Sequence, residues 1–231
     1  MGDRQAKDAL YDGFAGVAKA LANGRRAELV DVLGQGPRHV EELAAEIGQS
    51  VANTSFHLRT LAAAGLVTTE RVGARVYYRL ASERVAELWA AIEDVARAHS
   101  SRLGELARAY VGDREGLEEI GRKELVERLF RGEVLVIDVR PRAEYEAGHI
   151  EGALSVPVAE LPGALDSLPD DVGIVAYCRG PYCVFADEAV RMLTASGRAG
   201  FRLEDGFPEW RRRGYPVAVG GGENRSGPGH R

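Results

Sequence analysis

Apolar residues recur at helical spacing through the first third of the chain. "ALYDGFAGVAKALA" predicts a first helix from about Asp8, closed by Asn23-Gly24. "RRAELVDVLGQG" predicts a second, ended by its glycines and Pro37, and "HVEELAAEIG" a third, ended by Gly48. Ser50 stands where an N-cap belongs, ahead of "VANTSFHLRTLAAAG". In that fourth helix Thr54, Leu58 and Leu61 line one face. Asn53, Ser55, Phe56, His57 and Arg59 are spread around the others, and Gly65 ends it.

The period then changes. "LVTTERVGARVYYRLA" is two runs rich in Val, Thr and Tyr with a turn at Gly73, the pattern of a β-hairpin. Helical spacing resumes at Ser82, a second N-cap candidate, and continues for about 30 residues to Gly112. So long a helix in a small domain predicts packing against a second copy of the chain.

From about Gly116 helical segments alternate with short apolar runs such as "VLVIDV" and "GIVAYC", which predicts an α/β domain with a largely parallel sheet. Ligands of such sheets bind at the carboxyl ends of strands. "GIVAY" ends at Cys178, which places the cysteine where a site is expected. The expected organisation is two domains: residues 1–112, mainly α with a β-hairpin, and 113–219, α/β. The glycine-rich 220–231, "GGGENRSGPGHR", reads as a flexible tail.

Composition narrows the function. Hydrophobic content of 45% and charged content of 28% are those of a globular protein, and the apolar runs are strand-length, far below the roughly 20 residues of a membrane helix. "MGDRQAKDALYDGF" lacks the pattern of a secretory signal, so the expected location is cytoplasmic, with no membrane partner. Net charge is −5, yet residues 50–84 carry Arg59, Arg71, Arg75, Arg79 and Arg84 against only Glu70 and Glu83, a local basic stretch able to meet phosphates. The two cysteines, Cys178 and Cys183, bracket one loop, "CRGPYC". In a reducing compartment such a pair is catalytic, metal-binding or redox-sensing more often than structural. No cofactor signature is present.

The segments "AKALANGRRAELVDVL", "VEELAAEIGQSVANTSFHLRTLAAAGLV" and "TTERVGARVYYRL" resemble those of ArsR-family winged helix-turn-helix regulators. The resemblance implies a homodimer that binds double-stranded operator DNA, with the helix from Val51 to Ala63 reading the major groove and Arg26 and Arg75 near phosphates. An α-helix fits that groove, where Asn, Ser and Arg address base edges and Phe56 can meet a thymine methyl. Ser50, Asn53, Ser55, Phe56, His57 and Arg59 are therefore the candidate DNA-binding residues with Arg26 and Arg75. The cysteines and the carboxylate/histidine set of the metal-sensing members are missing, so no metal site is expected.

"VIDVRPRAEYEAGHIEGALSVP", "YCRGPYC" and "DGFPEWRRRGYPV" occur in the order of the signatures of rhodanese (sulfurtransferase) domains, which they resemble. The resemblance implies that Cys178 accepts sulfur as a persulfide. Arg179, Gly180, Pro181, Tyr182 and Cys183 then form the substrate loop, and Asp138, Arg140, Glu144 and His149 support it. A loop wrapped between strand and helix aims N–H groups and the helix dipole at one point, so a lowered Cys178 pKa is expected, with Arg179 adding charge at the mouth. The resemblance also implies sulfur rather than a phosphate-sized oxyanion, since sulfurtransferase relatives have a six-position loop and phosphatase relatives a longer one. Where many rhodaneses have Arg at the sixth, this chain has Cys183, a candidate resolving thiol, provided that the two Cα atoms lie within about 7 Å. The functional expectation is a repressor that senses or transfers reactive sulfur, with a small sulfur donor or thiol acceptor as partner. The alternative is a sulfurtransferase enzyme whose winged helix serves for dimerisation or DNA localisation.

Overall fold

The structure, a computed structural model, describes residues 3–221, and contacts divide it into two units at His99/Ser100. Most of the segment expected as a tail lies outside the described residues.

The N-terminal unit orders its elements as α1 (Arg4–Leu21), α2 (Gly24–Gly34), β1 (Arg38–His39), α3 (Val40–Glu46), α4 (Val51–Ala63), β2 (Val67–Val72), β3 (Arg75–Leu80) and α5 (Glu83–His99). Helix α1 begins a turn earlier than the periodicity indicates because Asp3 caps it, accepting from Gln5 N at 2.9 Å. Asn23 does not close α1 but opens α2, its side chain accepting from Arg26 N. The α3–α4 turn is set by Gly48 at φ 60°, with Gln49 N donating to Ala44 O at 2.9 Å. Ser50 Oγ then accepts from Asn53 N at 3.2 Å and starts α4. Thr54, Leu58 and Leu61, at i, i+4 and i+7, are buried against a core of Leu29, Leu33, Leu43, Ile47, Leu66 and Val85. Gly65, at φ 73°, ends α4 as its N–H reaches Ala62 O and that of Leu66 reaches Leu61 O. The antiparallel β2–β3 pair turns over Gly73-Ala74, with Val72 opposite Arg75, and β1 adds to the other side of β3.

The helix expected to run to Gly112 stops at His99. Residues 100–102 are non-helical and α6 (Leu103–Val111) follows as part of the C-terminal unit. Ser100 and Ser101 supply the reason, since serine side chains compete for backbone hydrogen bonds and weaken a helix interior.

The C-terminal unit continues with β4 (Glu119–Ile120), α7 (Arg122–Phe130), β5 (Val134–Asp138), α8 (Arg142–Ala147), β6 (His149–Ile150), β7 (Leu154–Ser155), α9 (Leu161–Ala164), β8 (Gly173–Tyr177), α10 (Phe185–Ala195), β9 (Gly200–Leu203), α11 (Phe207–Arg212) and β10 (Val217–Ala218). Five strands form one parallel sheet in the order β4-β9-β8-β5-β7, and β6 pairs antiparallel with β10 apart from it. Alternation along β8 divides the core. Ile174, Ala176 and Cys178 join Ala186, Ala189, Val190 and Leu193 of α10 on one face, while Val175 and Tyr177 join Leu125, Leu203, Phe207 and Trp210 on the other. Cys178 thus leaves β8 with its side chain already inside the α10 cluster.

Leu58 is fully buried at the centre of the N-terminal core. Leu58→Ala is expected to lower stability by about 2–5 kcal/mol. Denaturant unfolding followed by circular dichroism checks it, and an unchanged midpoint would contradict this packing.

Candidate functional site

The loop 178–183 is held from three sides. Cys178 O accepts from Phe207 N at 3.0 Å, tying the end of β8 to the start of α11. Gly206 lies so close that a Cβ there would overlap the backbone of Arg179 and Gly180, so only glycine fits. Cys183 N donates to Gly180 O at 3.1 Å and closes the loop as a turn, from which α10 begins at Phe185.

The two cysteines close the loop at its ends. Cys178 is 2% exposed and Cys183 half-buried, and neither is in a disulfide. The Cys178 thiol faces backbone, with Sγ 3.6 Å from the carbonyl oxygen of Cys183 and 3.9 Å from that of Gly180. Burial pushes the Cys178 thiol well above the ordinary thiol value, and Cys183 pushes the same way, while the N–H groups of Ala186 and Gly180 pull against them. Cys183 moves down instead, chiefly because the Cys178 thiol donates to it, helped by the N–H groups of Arg179 and Phe185 and by the Arg179 charge. The two thiols therefore titrate as a coupled pair.

Beneath the loop, Arg140 and Asp138 are buried together, with Arg140 Nη2 2.6 Å from Asp138 Oδ2 and 2.7 Å from Gly148 O. Burial opposes the Arg140 charge, but the Asp138 carboxylate more than offsets it and the guanidinium stays ionised. Tyr177 OH donates to Asp138 Oδ2 at 2.6 Å and accepts from Ile150 N, joining β5, β8 and β6. Buried Glu144 takes the Arg179 guanidinium in a forked pair, at 2.5 Å to Nη2 and 3.0 Å to Nε. His149 stacks on Tyr145 at 3.6 Å and its Nδ1 lies 2.8 Å from Tyr145 O. It lines a cavity of about 1190 Å³ with Tyr145, Ser155, Glu160 and Leu168, a space that no residue of the loop borders.

On the N-terminal unit, α4 turns Asn53, Phe56 and Arg59 to solvent, while Ser55 and His57 are half-buried. Ser50 is engaged as the cap. Arg59 and, at the hairpin turn, exposed Arg75 make no ion pair among the described residues. Arg26 is half-buried, its Nη2 donating to Lys19 O at 3.0 Å and its Nε to Ala20 O, at the last carbonyls of α1.

Family models match both units: a helix-turn-helix domain over residues 21–70 and a rhodanese-like domain over 121–213. The HTH-type transcriptional regulator Rv0324 of Mycobacterium tuberculosis is 47% identical over 219 residues, which span 95% of this chain and 96% of that protein. The chain is an ArsR-type transcriptional regulator with a rhodanese domain. A sulfurtransferase of Allochromatium vinosum is 33% identical to the regulator over 104 residues, 45% of this chain and 96% of that one. Among solved structures, the homodimeric winged helix-turn-helix DNA-binding domain Mb0332 of Mycobacterium bovis is 45% identical, with a TM-score of 0.41, covering 44% of this chain and 93% of that one. No helix of the described residues is long and apolar enough to cross a membrane.

Two electrostatic expectations for the regulator's loop are corrected. Cys178 carries a raised rather than a lowered pKa, since burial outweighs the two amides aimed at it. Arg179 supplies no free charge at the mouth, because Glu144 neutralises it. Sequence reasoning passed over Tyr177, Asp187 and Arg202. Asp187 carries a signal: a carboxylate among the apolar positions Ala186, Ala189 and Val190 of α10, buried in the structure.

In the full-length regulator iodoacetamide is expected to label Cys183 at lower pH than Cys178, as mapped by peptide mass. Labelling of Cys178 first would contradict the assigned order of ionisation.

Proposed function

We propose that the chain is a cytoplasmic, homodimeric repressor that binds a double-stranded operator through α4 and the β2–β3 wing and takes sulfane sulfur from a small donor onto Cys178. Support for DNA reading comes from the exposed Asn53, Phe56 and Arg59 on one face of α4 and the exposed Arg75 at the wing turn. Support for a dimer comes from two apolar rows open to solvent in the N-terminal unit, Leu10, Tyr11 and Phe14 on α1 and Leu88, Ile92 and Val95 on α5.

The observation that carries the sulfur half is the placement of Cys178 Sγ at the end of β8, enclosed by the loop backbone 3.6 Å from Cys183 O and 3.9 Å from Gly180 O, with Cys183 at the other end of the same loop. A donor persulfide transfers its terminal sulfur to Cys178 as the Cys178 proton passes to the Cys183 thiolate; the donor leaves as a thiolate and Cys178–S–SH forms. The departing thiolate takes that proton from Cys183, and attack by the Cys183 thiolate on the inner sulfur then yields the Cys178–Cys183 disulfide and expels HS⁻. Asp138, Arg140, Glu144 and His149 act as support, as their buried contacts suggest. With Arg179 neutralised and a cysteine at the sixth position, the loop offers little to a dianion such as thiosulfate and favours persulfides and polysulfides. A second reading, a sulfurtransferase passing sulfur to a cellular thiol, is favoured by the sulfurtransferase relative, and multiple turnover with a thiol acceptor distinguishes it.

Arg59→Ala is expected to weaken binding to DNA upstream of the protein's own gene by about 1–3 kcal/mol, and Arg75→Ala to reduce the salt slope by about one. Fluorescence anisotropy over a salt series measures both. Polysulfide is expected to release the DNA and to leave a Cys178–Cys183 disulfide in the parent, or one added sulfur atom at Cys178 in Cys183→Ser, read by peptide mass, with all of these effects lost in Cys178→Ser. Release that survives this substitution would overturn the sensing role.

A further inference from the structure

The C-terminal unit buries a second ionic cluster that the sulfur chemistry does not use directly. Asp187 of α10 and Arg202 of β9 are both buried, and Arg202 Nε lies 2.8 Å from Asp187 Oδ1 at an angle that makes an ion pair rather than a linear hydrogen bond. Arg114, from the segment between α6 and β4, donates its Nε to Asp187 Oδ2 at 2.7 Å. Arg202 Nη1 reaches Glu119 Oε1 at 2.7 Å. Its Nη2 donates to the carbonyl oxygen of Pro181, inside the cysteine loop, at 3.1 Å.

We infer that Arg114, Asp187 and Arg202 are positioning residues of the Cys178 loop, an ionic chain that ties the loop's shape to residues 113–117. The inference rests on the reading of Cys178 as the reactive thiol. Each end of the chain grips backbone or a neighbour of backbone that matters. Asp187 follows Ala186, whose N–H faces the Cys178 sulfur, so a displacement of the carboxylate displaces that amide. Arg202 holds Pro181, the midpoint of the loop. At the other end, Arg191 of α10 donates to Asp113 O at 2.8 Å and Leu117 packs on the same core cluster as Cys178 and Ala186, so the segment is fastened to the helix that begins at the loop. Two guanidinium groups share one buried carboxylate, and Arg114 Nη2 is buried with no acceptor. Loss of the Arg114 charge leaves Asp187 to Arg202 alone and changes the pull of Arg202 on Pro181.

The test uses the full chain carrying Cys183→Ser, so that Cys178 alone reports. Cys178 alkylation by iodoacetamide is followed across pH with Arg114, Arg114→Gln and Arg114→Lys, and amide exchange is read over residues 179–186. In the Gln variant the alkylation rate is expected to change by roughly threefold to thirtyfold, with a displaced pH profile and faster loop exchange. The Lys variant, which keeps the charge, returns most of the difference. Rates, profile and loop exchange equal to those of the Arg114 parent would overturn the chain. By reciprocity, alkylating Cys178 in the parent is expected to quicken exchange at residues 113–117, and an unaltered segment would count equally against it. Neither readout needs a sulfur donor. Failure of Cys178 to take up sulfur while it still responds to Arg114 would therefore sink the sulfur reading and leave the ionic chain in place.

Discussion

The C-terminal unit is organised by charge that cannot reach water. Asp138, Arg140, Glu144, Asp187 and Arg202 are all withdrawn from solvent, and each such group costs several kcal/mol unless a partner meets it at close range. Every partner then becomes a positional constraint. Arg140 fixes Asp138 and the Gly148 carbonyl, Tyr177 joins them from β8, Glu144 draws Arg179 down, and Arg202 holds Pro181 from the side. The loop between Cys178 and Cys183 takes its shape from these fixed points as much as from its own turn.

That arrangement alters how the thiols divide their work. A helix start and two amides favour ionisation at Cys178, but a sulfur enclosed by β8 and α10 feels burial more strongly. Its half-buried neighbour is drawn the other way, helped by the amides of Arg179 and Phe185 and by the Arg179 charge. Enclosure of the sulfur and ease of ionisation are thereby separated along one short loop.

Much of the fold was legible because it follows from local spacing. The glycines at 48, 65 and 73, the Ser50 cap and the period change after Gly65 mark the reading helix and hairpin directly, and the apolar run ending at Cys178 marks the end of a strand. What was missed shares a cause. Arg179 looks like a free cation in the sequence, but its partner is a carboxylate 35 positions away. Asp187 and Arg114 stand 73 positions apart, a pairing that no periodicity reveals. The Ser100-Ser101 break was visible as composition and was outweighed by the helical spacing on either side.

The glycine at 206 makes one corner of the site intolerant of change. The backbones of Arg179 and Gly180 stand where a β-carbon would go. Any larger residue has to push the cysteine loop aside before it fits, so the geometry around the thiols is hostage to a position outside that loop.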